Sequence, residues 1–191
     1  MLLFLDTETT GIPEWKTPSD DPCQPHIVQL AAALVDHKTL EIAQAINFIV
    51  RPDGWDIPPE VVELHGITVE WAKENGAPEN FVVSLLMRLA DRAEKVVGHN
   101  VNFDKRMVRI ATKRYLSEDE QQKWKDLNKF CTMYESRGII KIQLNGKKNK
   151  LPRLEEAYNF FTGEVLDNAH DAYADMLAAM VVYREIQKYK K

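Results

Sequence analysis

The chain opens on Met1-Leu2-Leu3-Phe4-Leu5, an apolar run without helical period, and passes directly into Asp6 and Glu8 of DTETTG. Such a run reads as a buried β-strand, and residues two apart on a strand share a face. Asp6 and Glu8 therefore stand side by side at the end of a buried element. Two neighbouring acids withdrawn from water repel each other, and a fold keeps them only where a cation lies between them. Hard divalent ions take such oxygen ligands. The competing reading is a solvated strand-to-loop exit, with Gly11 supplying a turn and both acids facing water. A short DxE does not decide between these on its own.

Two downstream segments supply possible partners. Lys95-Val96-Val97-Gly98 reads as a short strand, followed by Asn100 and Asn102 as N-cap residues and by a helix with Phe103, Met107, Val108 and Ile110 on its core side. Asp104 then lies in the first helical turn, where an acid is also favoured by the helix dipole. His99 reads as a hydrogen-bonded loop histidine. Near the C-terminus, Ala172, Met176, Ala179, Met180 and Tyr183 mark one face of a helix from about Asp171 to Lys188. His170 and Asp175 would be about 140° apart on a continuous helix, so His170 is expected to precede the helix while Asp175 sits on it. Asp171 is a rival ligand, but a first-turn acid is explained by the dipole.

The rest of the chain reads as a mixed α/β sheet. Strands are predicted at His26–Asp36 and Glu41–Val50, and a fifth at Asn128–Thr132. Helices are predicted at Pro59–Leu64, Val69–Asn75, Pro78–Ala93, Arg153–Thr162 and Glu118–Leu127, the last with capping-box spacing between Ser117 and Glu120. At 191 residues, with 45% hydrophobic and 28% charged side chains, the expectation is one soluble globular domain over residues 1–191. Met1–Leu5 lacks a basic flank and is too short for a signal peptide or a membrane span. Cys23 and Cys131 have no zinc or disulfide spacing, so an intracellular, cytoplasmic location is the default.

DTETTG, HNVNFD and HDAYAD, in this order, resemble the three exonuclease motifs of the DEDDh (DnaQ-like) 3′→5′ exonuclease family, which includes the proofreading epsilon subunit, ribonuclease T and oligoribonuclease. Leu64-His65-Gly66-Ile67-Thr68 is similar to that family's HGI(T) element, and the likeness runs over residues 1–185. The resemblance implies a ribonuclease H-like fold, a five-stranded mixed sheet flanked by helices. It implies Asp6, Glu8, Asp104 and Asp175 as ligands of two divalent metal ions, Mg²⁺ with Mn²⁺ able to substitute, and His170 as general base. It also implies Thr9 and the backbone near Thr7 beside the substrate 3′ end, with His65 near the terminal nucleotide and Asn100 on the substrate side. Every signature position is filled.

The expected activity is metal-dependent hydrolysis of terminal phosphodiesters at single-stranded or frayed 3′ ends of DNA, releasing 5′-mononucleotides in proofreading or repair. A DNA polymerase is a candidate partner. The alternatives are a 3′→5′ exoribonuclease or oligoribonuclease with the same site, or a non-catalytic nucleic-acid-binding module. The net charge of −4 is unusual for a phosphate binder. With four acids assigned to metal, the remaining surface is expected to be near neutral. Two segments exceed a minimal plan: the Pro-rich loop 12–25, whose Trp15 and Lys16 could meet a base and a phosphate, and the basic stretch 141–153 with Lys147, Lys148 and Lys150.

Overall fold

The computed structural model describes residues 1–141 and 150–189. Lys147 and Lys148, candidate phosphate contacts, lie outside the described residues. Six strands form one mixed sheet: β1 (Leu2–Thr9), β2 (Ile27–Val35), β3 (Ile42–Arg51), β4 (Ala77–Pro78), β5 (Lys95–Gly98) and β6 (Asn128–Cys131), in the order β4-β3-β2-β1-β5-β6. β1 runs antiparallel to β2 and parallel to β5, which runs parallel to β6. The flanking helices are α1 (Pro59–His65), α2 (Val69–Asn75), α3 (Glu79–Ala90), α4 (Asn102–Tyr115), α5 (Glu118–Asp126), α6 (Thr132–Ile140), α7 (Leu154–Thr162) and α8 (Ala172–Tyr189). Among the described residues no helix is long and apolar enough to cross a membrane.

The sheet is covered on both faces, so β2 can be apolar at nearly every position and is buried throughout. Strand alternation sorts β1 into two sets. Leu3 and Leu5 pack into the larger core with residues of α3 and α4, whereas Leu2 and Phe4 pack with Ala31, Ala33, Ala172 and Met176 beneath α8. The small alanines of β2 leave room for α8 to lie close. Asp6 and Glu8 continue the even-numbered set, so β1 aims its acids at the start of α8.

The mixed α/β sheet expected from the sequence is present, with six strands rather than five. The extra strand, β4, is only two residues long and pairs with the end of β3 at Val50↔Ala77 and Arg51↔Pro78. Gly76 permits this approach, because a Cβ there would lie 2.6 Å from the Arg51 nitrogen and 2.4 Å from the Ala72 oxygen. α6 has no counterpart among the predicted helices: its sequence TMYESRGII mixes β-branched residues with Gly138, a weak helical signal. α3 ends at Ala90, short of Ala93. α5 has the capping box, with the Glu120 nitrogen donating to Ser117 Oγ and the Ser117 nitrogen to Glu120 Oε2. Its buried Trp124 donates from Nε1 to the Lys105 carbonyl at 3.0 Å, tying α5 to α4.

Candidate active site

The carboxylates converge at the C-terminal edge of β1, where three elements meet. β1 brings Asp6 and Glu8, the first turn of α4 brings Asp104, and the first turn of α8 brings Asp175. Thr7, on the opposite face of β1 from Asp6, donates from Oγ1 to Asp104 Oδ1 at 2.9 Å, fixing the acid of α4 to the strand that carries the others. Gly98 lets β5 end close beside them: a Cβ there would sit 2.9 Å from the Leu5 carbonyl oxygen, directly before Asp6.

His170 precedes α8, as its spacing from Asp175 requires, and is exposed in the left-handed region at φ 70°. Non-glycine residues there cost on the order of 1 kcal/mol. Its backbone nitrogen donates to Asp175 Oδ2 at 3.2 Å, which closes the turn and orients the carboxylate. Asp175 Oδ1 is buried without a hydrogen-bond partner. One ligand atom each from Glu8, His170 and Asp175 lie within 4.8 Å of one another.

Electrostatically these acids are in an unfavourable place without a cation. Burial, reinforced by Asp104, Asp175, Glu8 and Asp171, holds the Asp6 carboxyl well above the usual carboxylate range. Burial followed by Asp175 and Asp104 pushes Glu8 up to about 8. Asp104 is raised to about 7 by burial, against the opposing hydrogen bond from Thr7. Asp175 is raised to about 6, again chiefly by burial. A pocket of oxygen donors that hold protons near neutrality, one of them an orphaned buried oxygen, fits hard divalent ions: binding supplies the positive charge the fold leaves out.

Asp171 is engaged elsewhere. Its Oδ1 accepts the Ala174 nitrogen at 2.9 Å as a helix cap, and its Oδ2 accepts Gln29 Nε2 at 2.9 Å. Gln29 also accepts the Ala172 nitrogen at 3.1 Å, so this β2 residue, cross-strand partner of Glu8, pins the start of α8 against the acids of β1. The sequence motifs do not include Gln29, though a lone polar residue in the apolar strand IVQLAAALV signals a bonded side chain.

The other candidate residues are distributed around this centre. Thr9 Oγ1 donates to the Gly11 carbonyl at 2.8 Å. His65 accepts the Ile67 nitrogen on Nδ1 at 3.0 Å, which places its proton on Nε2, a buried donor with no partner. Burial and then the nearby His170 lower its pKa, so His65 stands within electrostatic reach of the centre. His99 is a structural loop residue, bonded to Thr132 Oγ1 at 3.0 Å and to the Pro152 carbonyl at 2.9 Å. Asn100 is not an N-cap: Val101 holds that position, and Asn100 adopts φ 64° because its carbonyl turns back to accept the Phe103 nitrogen. It lines a cleft of about 300 Å³ that also contains His170 and Asp175. Trp15 is exposed, and Lys150 pairs with Glu156 Oε1 at 2.6 Å, at the start of α7.

Residues 3–183 match the family described as Exonuclease (RNase_T). The chain is 32% identical over 103 residues to the DNA polymerase III subunit epsilon of Rickettsia prowazekii, covering 53% of this chain and 40% of that protein. It is 27% identical over 124 residues to ribonuclease T of Actinobacillus pleuropneumoniae, covering 59% of this chain and 53% of that protein. The matches thus span only about half or less of these relatives' length. In fold it is similar to Escherichia coli exonuclease I in complex with a dT13 oligonucleotide, with a TM-score of 0.76 at 23% identity over 98% of this chain and 40% of that one.

Proposed function

The chain belongs to the exonuclease family, and we propose that it hydrolyses terminal phosphodiesters at single-stranded or frayed 3′ ends of DNA, releasing 5′-mononucleotides. The observation that carries this reading is the convergence of Asp6, Glu8, Asp104 and Asp175 at one strand edge, with His170 held beside Asp175 through its own backbone. Two divalent ions, Mg²⁺ or Mn²⁺, when bound by those carboxylates, supply charge neutralisation and Lewis-acid polarisation of the scissile phosphate. His170, exposed at the mouth of the cleft, takes the proton of the attacking water. Thr7 keeps Asp104 turned toward the centre. The unpartnered His65 Nε2–H is available to donate to the terminal nucleotide, and the Thr7–Thr9 segment and Asn100 border its path.

Ribonucleic acid is the second reading, supported by the likeness to ribonuclease T. The likeness to a polymerase III epsilon subunit supports a DNA polymerase as partner. The test is hydrolysis of a 5′-labelled single strand, as DNA and as RNA, with and without Mg²⁺. We expect stepwise shortening from the 3′ end only with metal, faster on DNA, and near-abolition in Asp6→Asn and Asp104→Asn. Full activity in excess chelator, or products that begin internally, would overturn the mechanism.

A further inference from the structure

The Pro-rich segment after β1 is an ordered platform. Gln24, 2% exposed, is its hub: its amide oxygen accepts the Glu14 nitrogen at 3.1 Å, and the two hydrogens of its Nε2 are shared among Thr17 Oγ1 at 2.8 Å and the Glu14 and Pro18 carbonyls, each at 2.9 Å. Arg106 of α4 clamps the same segment, donating to the Thr17 carbonyl and Ser19 Oγ, each at 2.7 Å. Arg114, further along α4, donates to the Pro25 carbonyl at 3.0 Å. Trp15 lies between the anchored Glu14 and Thr17 and is nonetheless 56% exposed. A side chain that could have tucked against the body is held out by a rigid frame.

Trp15 is held over a groove of about 810 Å³ walled on its other sides by α4, α5, β6 and α6. Lys105, Arg109, Lys125 and Lys129 line it, and Tyr134 faces it from α6. The one carboxylate in the lining, Asp126, is occupied by the Gln122 amide at 2.8 Å. Arg109 and Lys125 form no ion pair among the described residues and also line the neighbouring pocket that holds Glu118. A chain of net charge −4 nonetheless gathers cations along one groove. The groove neighbours the cleft that contains His170 and Asp175, since Asn100 lines both.

Cations spaced along a channel with exposed aromatic faces are what a single-stranded polynucleotide requires, since its phosphates need charge and its unpaired bases need stacking surfaces. An acidic polypeptide would match the cations but leave Trp15 and Tyr134 without a counterpart. We propose that this groove seats the single strand on the 5′ side of the scissile bond, with Trp15 stacking on a base and Arg109, Lys125 and Lys129 contacting phosphates. The proposal rests on the exonuclease reading and adds the path of the substrate outside the metal site.

The test compares a thymidine dinucleotide, too short to leave the cleft, with a long oligothymidylate, using the parent, Trp15→Ala and the double variant Arg109→Gln/Lys125→Gln. On the long strand KM should rise about tenfold for Trp15→Ala. For the double variant the salt dependence of KM should flatten by about 0.7 in log–log slope for each phosphate that is no longer neutralised. kcat on the long strand and all constants on the dinucleotide should stay at parental values. Unchanged KM and slope on the long strand, or equal losses on both substrates, would overturn the groove assignment. If the parent cleaves neither substrate, the exonuclease reading fails by itself. Anisotropy of the same labelled oligothymidylate in chelator still decides the groove in that case: weaker binding by both variants supports it, and parental binding discards it.

Discussion

Replacing Glu8 by Gln should stabilise the metal-free protein while destroying its activity. Glu8 is 8% exposed, and its carboxyl is raised from 4.5 to about 8 by burial and by the neighbouring acids. The folded chain therefore holds a proton that the unfolded chain has already released between these values, so stability falls as pH rises through that window. Taken alone the shift would cost about 4 kcal/mol at pH 8, since each pKa unit corresponds to about 1.4 kcal/mol. Part of it is shared with the acids that cause it, which brings the cost nearer to about 2 kcal/mol. Gln has nearly the same shape and no charge. Urea unfolding in chelator should show Glu8→Gln more stable than the parent by about 2 kcal/mol at pH 8, with the difference falling below about 1 kcal/mol at pH 5. Mg²⁺ should then raise the parent's melting temperature more than the variant's, because a ligand bound only to the native state stabilises it by mass action. A variant equally or more destabilised at pH 8 than at pH 5 would refute the reasoning and make Glu8 a structural residue.

His170→Ala should lose on the order of 10²–10⁴ in rate and recover part of it when free imidazole is added, while its Mg²⁺-induced rise in melting temperature stays parental. A melting response lost in step with activity would reassign His170 as a metal ligand. Gln29→Ala removes the bonds to Asp171 and the Ala172 nitrogen, so chemical denaturation should show a loss of roughly 2–3 kcal/mol. Its kcat should drop with KM little changed, since α8 would no longer hold Asp175 against β1, and parental kcat in a folded variant would count against that role.

The parts of this architecture visible in the sequence are those written in local pattern. The run before Asp6, the apolar β2 and the capping box of α5 each state their structure within a few residues. β4 is invisible there because its two residues are specified by backbone pairing to β3, made possible by the missing Cβ of Gly76. The order of the loop after β1 is equally hidden, since it depends on Arg106, 87 positions from its Ser19 partner. Of the candidate site residues, the acids and His170 stand out through their spacing. The cations of α4 do not, because on a helix Lys105, Arg106 and Arg109 look like any solvated face until β6 and α6 enclose them. The net charge is silent on the groove for the same reason: a sum over the chain carries no information about where charges gather.

The carboxylates gathered at the edge of β1 come from positions 6, 8, 104 and 175, and this sets the order in which the protein can become dangerous to nucleic acid. During synthesis, β1 emerges with its two acids well before Asp104 or Asp175 exists beside them. Until the helix bearing Asp175 has left the ribosome and docked on β2, where Gln29 receives it, the nascent chain carries half a site. A growing chain therefore lacks the complete acid cluster until the segment around α8 has folded back onto β1.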